Sequence, residues 1–462
     1  MDKKYKQLIV NTVIFGIGAF SSKALVFLLM PLYTYALNPG EFGIVDIIVQ
    51  TSNLIIPLAS LGITGAVLRF GLDSSNNKDE VFTVGLITIL GGFAVFLILT
   101  PLMWLSDFIS PYIWLIVLFV LTSNLRALCS QFTRAKQMMK LYSLDGVIST
   151  ATTILFTIIF LLPLKMGITG YVLAIILSDS LSAIFLFFTA SLHKNCAFKR
   201  KFALLRPMLA YALPLIPTTI FWWITNVSDR YMVTYMLGQE ANGLYAISYK
   251  IPTFLILISG IFMEAWQVSA VTDNAEERSG FFSRVFSRYQ TLIFIAAALI
   301  IPSAKLIISV LVDASFYASW KYVPFLVLST TFSCLVTFFG TIYMVEKKSM
   351  HSMLTTVIGA VINIALNLLL IKSFGPNGAA FSTFMSYLIV FVIRSKNTGK
   401  FLKFDWDVQK ICLNTFLLTL QSIIMITEVE HWLILEIALV VIMALQNIGS
   451  FLSPKILLKH NM

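Results

Sequence analysis

The chain has 462 residues, of which 58% are hydrophobic and only 12% are charged, and its formal net charge is +11. A water-soluble globular protein does not carry so apolar a composition, so a lipid bilayer must be the solvent for most of the chain. Backbone polar groups in hydrocarbon have to be satisfied within each segment, which predicts membrane-spanning α-helices of roughly 20 residues and excludes a large soluble domain.

Fourteen apolar runs are long enough to form such helices. Short turns that contain proline or glycine separate them, for example at 38–40 and 375–376. The predicted spans are 8–37, 43–68, 81–105, 111–133, 142–164, 168–191, 208–237, 243–270, 289–312, 319–345, 351–372, 376–394, 410–427 and 432–453. Pro214, Pro217 and Pro252 remove backbone hydrogen bonds and predict bends in the seventh and eighth spans.

Basic residues are concentrated in alternate connecting segments. Arg394 and Lys410 belong to this set, and the intervening loops contain only Lys165, Lys321 and Lys372. Because basic loops stay on the cytoplasmic side, this bias predicts that both termini are cytoplasmic and that the number of spans is even. Topology and attraction to anionic headgroups explain the basic loops, so no nucleic-acid partner is expected.

An internal repeat organises the chain. Shifting the sequence by 200 positions lays 34–37 on 234–237, and a shift of 208 lays 167–170 on 375–378 and Ser178 on Ser386. The repeat predicts two six-helix units of the same orientation, as in parallel-repeat transporters. The predicted domains are an N-terminal lobe (1–192), a basic linker (193–207), a C-terminal lobe (208–396) and two additional helices (397–462).

Several ionisable side chains fall inside the predicted spans, where each costs roughly 2.5–3.5 kcal/mol on insertion scales. The basic ones are Lys23, Arg126, Arg230 and Lys250. The acidic ones are Asp46, Asp179, Asp229 and Glu264.

Two interpretations of these charges remain open. In the first, the four cations line a water-accessible cavity and bind a diphosphate, arginine by paired hydrogen bonds and lysine as a point charge. In the second, the charges pair within a lobe: Asp179 neutralises Lys23 or Arg126, and Asp46 neutralises Lys250. The acidic residues are also candidates for a coupling proton or sodium ion.

Two segments carry a family resemblance. Residues 31–43 (PLYTYALNPGEFG) and 228–238 (SDRYMVTYMLG) resemble the motifs that open the two halves of bacterial polysaccharide flippases of the Wzx type. These flippases belong to the multidrug/oligosaccharidyl-lipid/polysaccharide (MOP) exporter superfamily.

The resemblance implies an all-α, MATE-like fold with two six-helix lobes in a V shape and two further C-terminal helices. It also implies alternating-access transport of an undecaprenyl-diphosphate-linked oligosaccharide across the bacterial cytoplasmic membrane, for capsule, O-antigen or exopolysaccharide synthesis. A polysaccharide polymerase and other assembly proteins are expected partners, and the transporter is expected to act as a monomer.

Enzymatic chemistry is not predicted, because the sequence has no glycine-rich phosphate loop, metal-ligand spacing or catalytic pair of carboxylates. No cofactor is expected. Two transport alternatives remain. A flippase of the peptidoglycan precursor lipid II shares the fold and the cationic cavity, whereas a cation-coupled multidrug exporter would require an acidic cavity, and its branch has twelve helices.

Overall fold

The computed structural model describes residue 27 and residues 29–73, 75–196, 202–272, 278–346, 348–402 and 404–452. All regular secondary structure in these ranges is helical. The contacts between Cα atoms divide the chain into two compact units, Met1–Trp223 and Ile224–Met462. The boundary falls inside a helix.

The first unit contains eight described helices and the start of a ninth. Their bounds are α1 Met30–Ala36, α2 Pro39–Ala59, α3 Ile63–Leu72, α4 Lys78–Leu99, α5 Ile113–Ala135, α6 Met139–Leu161, α7 Gly167–Thr189, α8 Leu205–Ala212 and α9 Ile216–Leu237. Short 3₁₀ helices lie at Thr100–Leu105, Ser110–Tyr112, Leu192–Asn195 and Leu213–Leu215.

The second unit begins within α9. Its further helices are α10 Gln239–Ser248, α11 Thr253–Thr272, α12 Arg278–Leu311, α13 Val323–Val345, α14 Ser349–Phe374, α15 Pro376–Thr398, α16 Val408–Thr427 and α17 Trp432–Leu452. A 3₁₀ helix, Ala314–Tyr322, connects α12 to α13.

Among the described residues, eleven helices are long and apolar enough to cross a membrane, or up to twelve if the bent pair α10 and α11 forms one span. The prediction of an all-α protein with many membrane spans is therefore confirmed. The number fourteen stays a prediction. Most of the first predicted span, 8–37, lies outside the described residues.

The start of α2 shows how local sequence fixes a helix end. The Asn38 side chain accepts a hydrogen bond from the Glu41 backbone N–H (2.9 Å), and the Glu41 carboxylate accepts one from the Asn38 backbone N–H (3.0 Å). This capping box satisfies two backbone donors that the helix leaves unpaired. Pro39 occupies the first turn, where its missing N–H costs nothing.

The predicted single span 43–68 is wrong, because the structure breaks it into α2 and α3. Leu61 (φ 50°) and Gly62 (φ 64°) adopt left-handed backbone conformations between the two helices. A continuous right-handed helix cannot pass through such conformations. The bend predicted at Pro252 is present: the axes of α10 and α11 differ by 43° across the break that contains this residue.

The same helical hairpin occurs once in each unit, at the positions that the 208-residue shift relates. Gly167 (φ 54°) and Gly375 (φ 61°) precede or begin the second helix of each hairpin in the left-handed region. Three residues later, a Cβ on Gly170 would lie 3.2 Å from the Phe160 carbonyl oxygen, and a Cβ on Gly378 would lie 2.6 Å from the Leu370 carbonyl carbon. In both hairpins, only glycine permits this approach of the two backbones.

A serine pins each hairpin further along. Ser178 donates to the Ser149 carbonyl oxygen, and Ser386 donates to the Gly359 carbonyl oxygen, each over 2.7 Å. Correspondingly, α7 packs against α5 and α6, and α15 packs against α13 and α14. Each unit therefore contains an equivalent three-helix group, and these two groups hold most of the buried charges.

Candidate functional site

In the first unit, one arginine is held between two helices. Arg126 on α5 pairs through Nη1 with Asp179 Oδ1 on α7 (2.8 Å), and its Nε donates to the Ser182 hydroxyl (2.9 Å). Asp179 Oδ2 also accepts a hydrogen bond from Ser123. The aspartate is buried, whereas the arginine side chain remains 30% exposed.

A second carboxylate, Asp145 on α6, completes this group. Its Oδ2 lies 3.8 Å from Arg126 Nη2, and its Oδ1 accepts a hydrogen bond from Ser182. Sequence reasoning did not single out Asp145, although a carboxylate inside an apolar run is itself a signal of this kind. We call Arg126, Asp145 and Asp179 the N-unit triad.

The N-unit triad has the geometry of the within-lobe pairing considered above, with Asp179 as the partner of Arg126. One guanidinium faces two carboxylates, so the positive charge is compensated locally. The hydrogen bonds to Asp179 and Ser182 use two of the five N–H groups of the guanidinium. Donors on a partly exposed, well-oriented arginine are therefore left for another ligand.

In the second unit, Asp229 on α9 is fully buried. Its Oδ2 accepts hydrogen bonds from the hydroxyl groups of Tyr245 (2.8 Å) and Tyr249 (2.6 Å), and its Oδ1 accepts one from the Arg230 backbone N–H (2.9 Å). In the described part of the chain, this carboxylate forms no ion pair. Hydroxyl and amide groups therefore solvate it in place of a basic side chain.

Asp229 belongs to a larger group of oxygen atoms that joins α9, α14 and α15. The Thr383 hydroxyl lies 3.4 Å from Asp229 Oδ2 and accepts a hydrogen bond from Asn363 Nδ2 (3.1 Å). Asn367 in turn donates to Asn363 Oδ1 (3.0 Å), while its own Oδ1 is buried and has no partner among the described residues. We call Asp229, Asn363, Asn367 and Thr383 the C-unit cluster.

Arg230 lies beside the C-unit cluster. Its guanidinium carbon is 4.4 Å from the centre of the Tyr249 ring, and the residue is 9% exposed. Stacking of this kind stabilises a cation by about 0.5–2 kcal/mol, depending on its desolvation. Tyr249 therefore contacts both charges: its hydroxyl binds Asp229 and its ring face binds Arg230.

The other predicted residues are less closely grouped. Asp46 on α2 is buried and accepts a hydrogen bond from Gln50 (3.4 Å). Lys250 lies at the bend between α10 and α11 and is half-buried. Lys23 lies outside the described residues, and Glu264 falls on α11, but its side chain also lies outside them.

Arg394 requires a correction, because it was assigned to a connecting segment. Helix α15 extends to Thr398, and the Arg394 side chain is buried. Its guanidinium donates to the Thr355 hydroxyl (2.9 Å), the Val336 carbonyl (3.0 Å) and the Ser352 carbonyl (3.2 Å). In the part of the chain that the structure describes, Arg394 therefore ties α15 to α13 and α14 without a carboxylate.

Comparison with solved structures identifies the fold. The chain is similar to the lipid II flippase MurJ in its inward closed conformation, with a TM-score of 0.70, 14% identity, and coverage of 95% of this chain and 98% of that chain. It is also similar to an inward-facing MATE family multidrug resistance transporter (TM-score 0.67, 13% identity, 82% and 95% coverage).

A MOP superfamily transporter from Pyrococcus furiosus matches as well, with a TM-score of 0.57, 13% identity, and coverage of 85% of this chain and 95% of that chain. At these identities, the structural likeness shows the fold alone. No curated protein matches the chain by sequence.

The sequence also matches the family described as polysaccharide biosynthesis protein over residues 8–268, which is more than half of its length. The matched region contains Arg126, Asp229 and Arg230. A MOP-type membrane transporter fold and this sequence match lead to the same conclusion: the chain belongs to the polysaccharide biosynthesis protein family of the MOP superfamily.

Proposed function

We propose that this protein is a flippase that moves undecaprenyl-diphosphate-linked oligosaccharide units across the bacterial cytoplasmic membrane, with both termini in the cytoplasm. Membership of the polysaccharide biosynthesis family carries this proposal. The MurJ-like fold supports it, because MurJ is named as a flippase of lipid II, which is also a lipid-linked saccharide.

The substrate headgroup is a diphosphate, and the proposal assigns its recognition to the intramembrane cations Lys23, Arg126, Arg230 and Lys250. Arg126 supports this role because Asp179 and Ser182 fix its orientation while some of its N–H groups remain available. An arginine that is already oriented loses less conformational entropy on binding a phosphate. Arg230 is similarly ordered by the Tyr249 ring.

We further assign ion coupling to Asp229 rather than to Asp46, Asp179 or Glu264. Asp179 is paired with Arg126, whereas Asp229 lies among hydroxyl and amide oxygens, which suit a proton or a sodium ion. Neutralisation of Asp229 would weaken its attraction for the neighbouring Arg230 guanidinium. Arg230 would then be more available to the diphosphate, so ion binding and substrate binding would favour one another.

Two other transport functions compete with this proposal. A lipid II flippase would use the same cations. A multidrug exporter of organic cations is less compatible with them, because arginine side chains near the transport path would repel such substrates. A polysaccharide polymerase and other assembly proteins are the partners that the proposal implies, and a single copy of the chain suffices for transport.

The decisive experiment removes the gene and measures lipid-linked saccharides by mass spectrometry. We expect an undecaprenyl-diphosphate-linked oligosaccharide to accumulate and the surface polysaccharide to disappear. Accumulation of lipid II would instead establish the peptidoglycan alternative. Unchanged saccharides with increased drug sensitivity would establish multidrug export.

Complementation tests the assigned site. Arg230→Ala should reach the membrane in normal amount and fail to restore surface polysaccharide, because it removes a cation from the proposed diphosphate site. Lys372→Ala is the matched control, since Lys372 is an exposed cation in the last turn of α14. Full activity of Arg230→Ala would refute the assignment of Arg230 without affecting the result of the gene deletion.

A further inference from the structure

Glu436 is a buried carboxyl group on α17 that takes no part in the proposed transport site. It is 0% exposed and shares the buried face of the helix with Leu439, Met443 and Asn447, at helical spacing. This face packs against α12 and α16. The neighbouring positions Leu435 and Ile437 are exposed. Glu436 therefore lies at a helix contact and not on the lipid-facing side.

The partner of Glu436 is a neutral amide. Gln421 Nε2 on α16 donates to Glu436 Oε2 (2.9 Å) and also to the Ala298 carbonyl oxygen on α12 (3.3 Å). That carbonyl is available because the residue four positions later is Pro302, which has no backbone N–H to donate. The other two acceptors, Glu436 Oε1 and Gln421 Oε1, are buried and have no hydrogen-bond partner in the described structure.

No cation compensates Glu436 within the described chain. On α12, Lys305 pairs with Glu428 and stacks on Trp320 and Trp432. On α16, the Lys410 ammonium donates to Thr291. The remaining ionisable side chains on these helices are Arg278, Arg284, Arg288, Tyr289 and Cys412, and α17 has no other charged residue.

An ionised carboxylate in this position would lack both a counter-charge and the hydrogen bonds that stabilise a buried anion. A proton removes the charge and adds a donor to a cluster that has two acceptor oxygens without one. We propose that Glu436 is a proton-binding site and that it holds its proton at neutral pH. The protonated form permits α17 to pack against α12 and α16, and release of the proton places an uncompensated charge at that contact.

Infrared difference spectroscopy on the full-length protein in lipid nanodiscs tests this directly. The C=O stretching band of a protonated carboxyl group is absent from a carboxylate. At neutral pH, the spectrum of wild type minus Glu436→Gln should contain one such band, which shifts in D₂O. A difference spectrum that contains only carboxylate bands would overturn the proposal.

Two further arms close the remaining routes. Glu436→Met, which has a similar length and no carboxyl group, should lose the same band, so the result does not depend on whether the glutamine variant folds. Replacing choline chloride with sodium chloride at constant ionic strength should leave the band unchanged. Conversion of the band to carboxylate bands by sodium would show that the site takes a metal cation, which would refute proton binding.

Discussion

Arg126 and Asp179 form an ion pair between α5 and α7, with 2.8 Å between Nη1 and Oδ1, and Asp145 on α6 lies 3.8 Å from the same guanidinium. Removing Arg126 leaves two buried carboxylates without their cation. We therefore expect Arg126→Ala to destabilise the protein by about 3–5 kcal/mol, the usual cost of breaking a buried pair from one side. Thermal unfolding of the detergent-solubilised protein measures this loss.

The double variant Arg126→Ala with Asp179→Asn separates stability from substrate binding. It should recover part of the lost stability, because one of the uncompensated charges is removed with the arginine. It should still fail to restore surface polysaccharide if Arg126 binds the diphosphate. Recovery of both stability and export in the double variant would show that Arg126 is only a structural partner of Asp179.

Asp229 and its two tyrosines can be tested by a double-mutant cycle. Tyr249→Phe should cost about 1.5–3 kcal/mol in an otherwise wild-type chain, as expected for a hydrogen bond to a charged group. In an Asp229→Asn background, the same change should cost about 0.5–1.5 kcal/mol. Tyr245→Phe is the matched comparison, since its hydroxyl binds the same oxygen. Equal costs in the two backgrounds would argue against an ionised Asp229.

The repeated hairpin predicts that Gly170 and Gly378 respond alike to substitution. Alanine at either position places a methyl group against the backbone of the preceding helix, at Phe160 or Leu370. Each variant should lose about 1–3 kcal/mol, the usual cost of overpacking. Gly65→Ala is the control, because nothing lies within 4 Å of a Cβ there and alanine favours a helix. Unfolding temperatures of all three variants test the prediction, and a stable Gly378→Ala would contradict it.

Glu428 predicts a pH dependence at one end of α16. The hydrogen bond from Lys305 holds the pKa of the Glu428 carboxyl below its ordinary value. A lowered pKa contributes stability above the pKa of the unfolded chain, about 4.3, and that stability is lost as the pH falls through the folded value. The difference in unfolding temperature between wild type and Glu428→Gln should therefore be present at neutral pH and disappear in acid. A difference that grows on acidification would contradict this.

Much of the fold could be predicted because its signals are local. Apolar runs, glycines at turns and the 208-residue shift are visible in the sequence, and the hairpins at Gly167 and Gly375 share their geometry in the structure. The break at Leu61 was missed because a leucine in a left-handed conformation has no composition signal. Tertiary packing imposes that conformation on it.

The charge partners could be predicted only in part. Asp179 was named as a possible partner of Arg126, but the role of Asp145 depends on the distance between α5 and α6, which no sequence spacing gives. Arg394 was placed with the connecting segments because basic residues at helix ends usually mark topology. Its burial depends on hydroxyl and carbonyl oxygens from two distant helices, and these partners become apparent only when α13, α14 and α15 are packed together.

Pro302 interrupts the hydrogen-bond ladder of α12, and a side chain from α16 supplies the donor that the proline lacks. The last two helices were expected to be additions to a twelve-helix transporter, yet one of them seals a polar gap in the body of that transporter. A shortened chain that ends before α16 would expose an unpaired carbonyl group to hydrocarbon, at a cost of several kcal/mol. The smallest functional form of this transporter must therefore retain its C-terminal pair of helices.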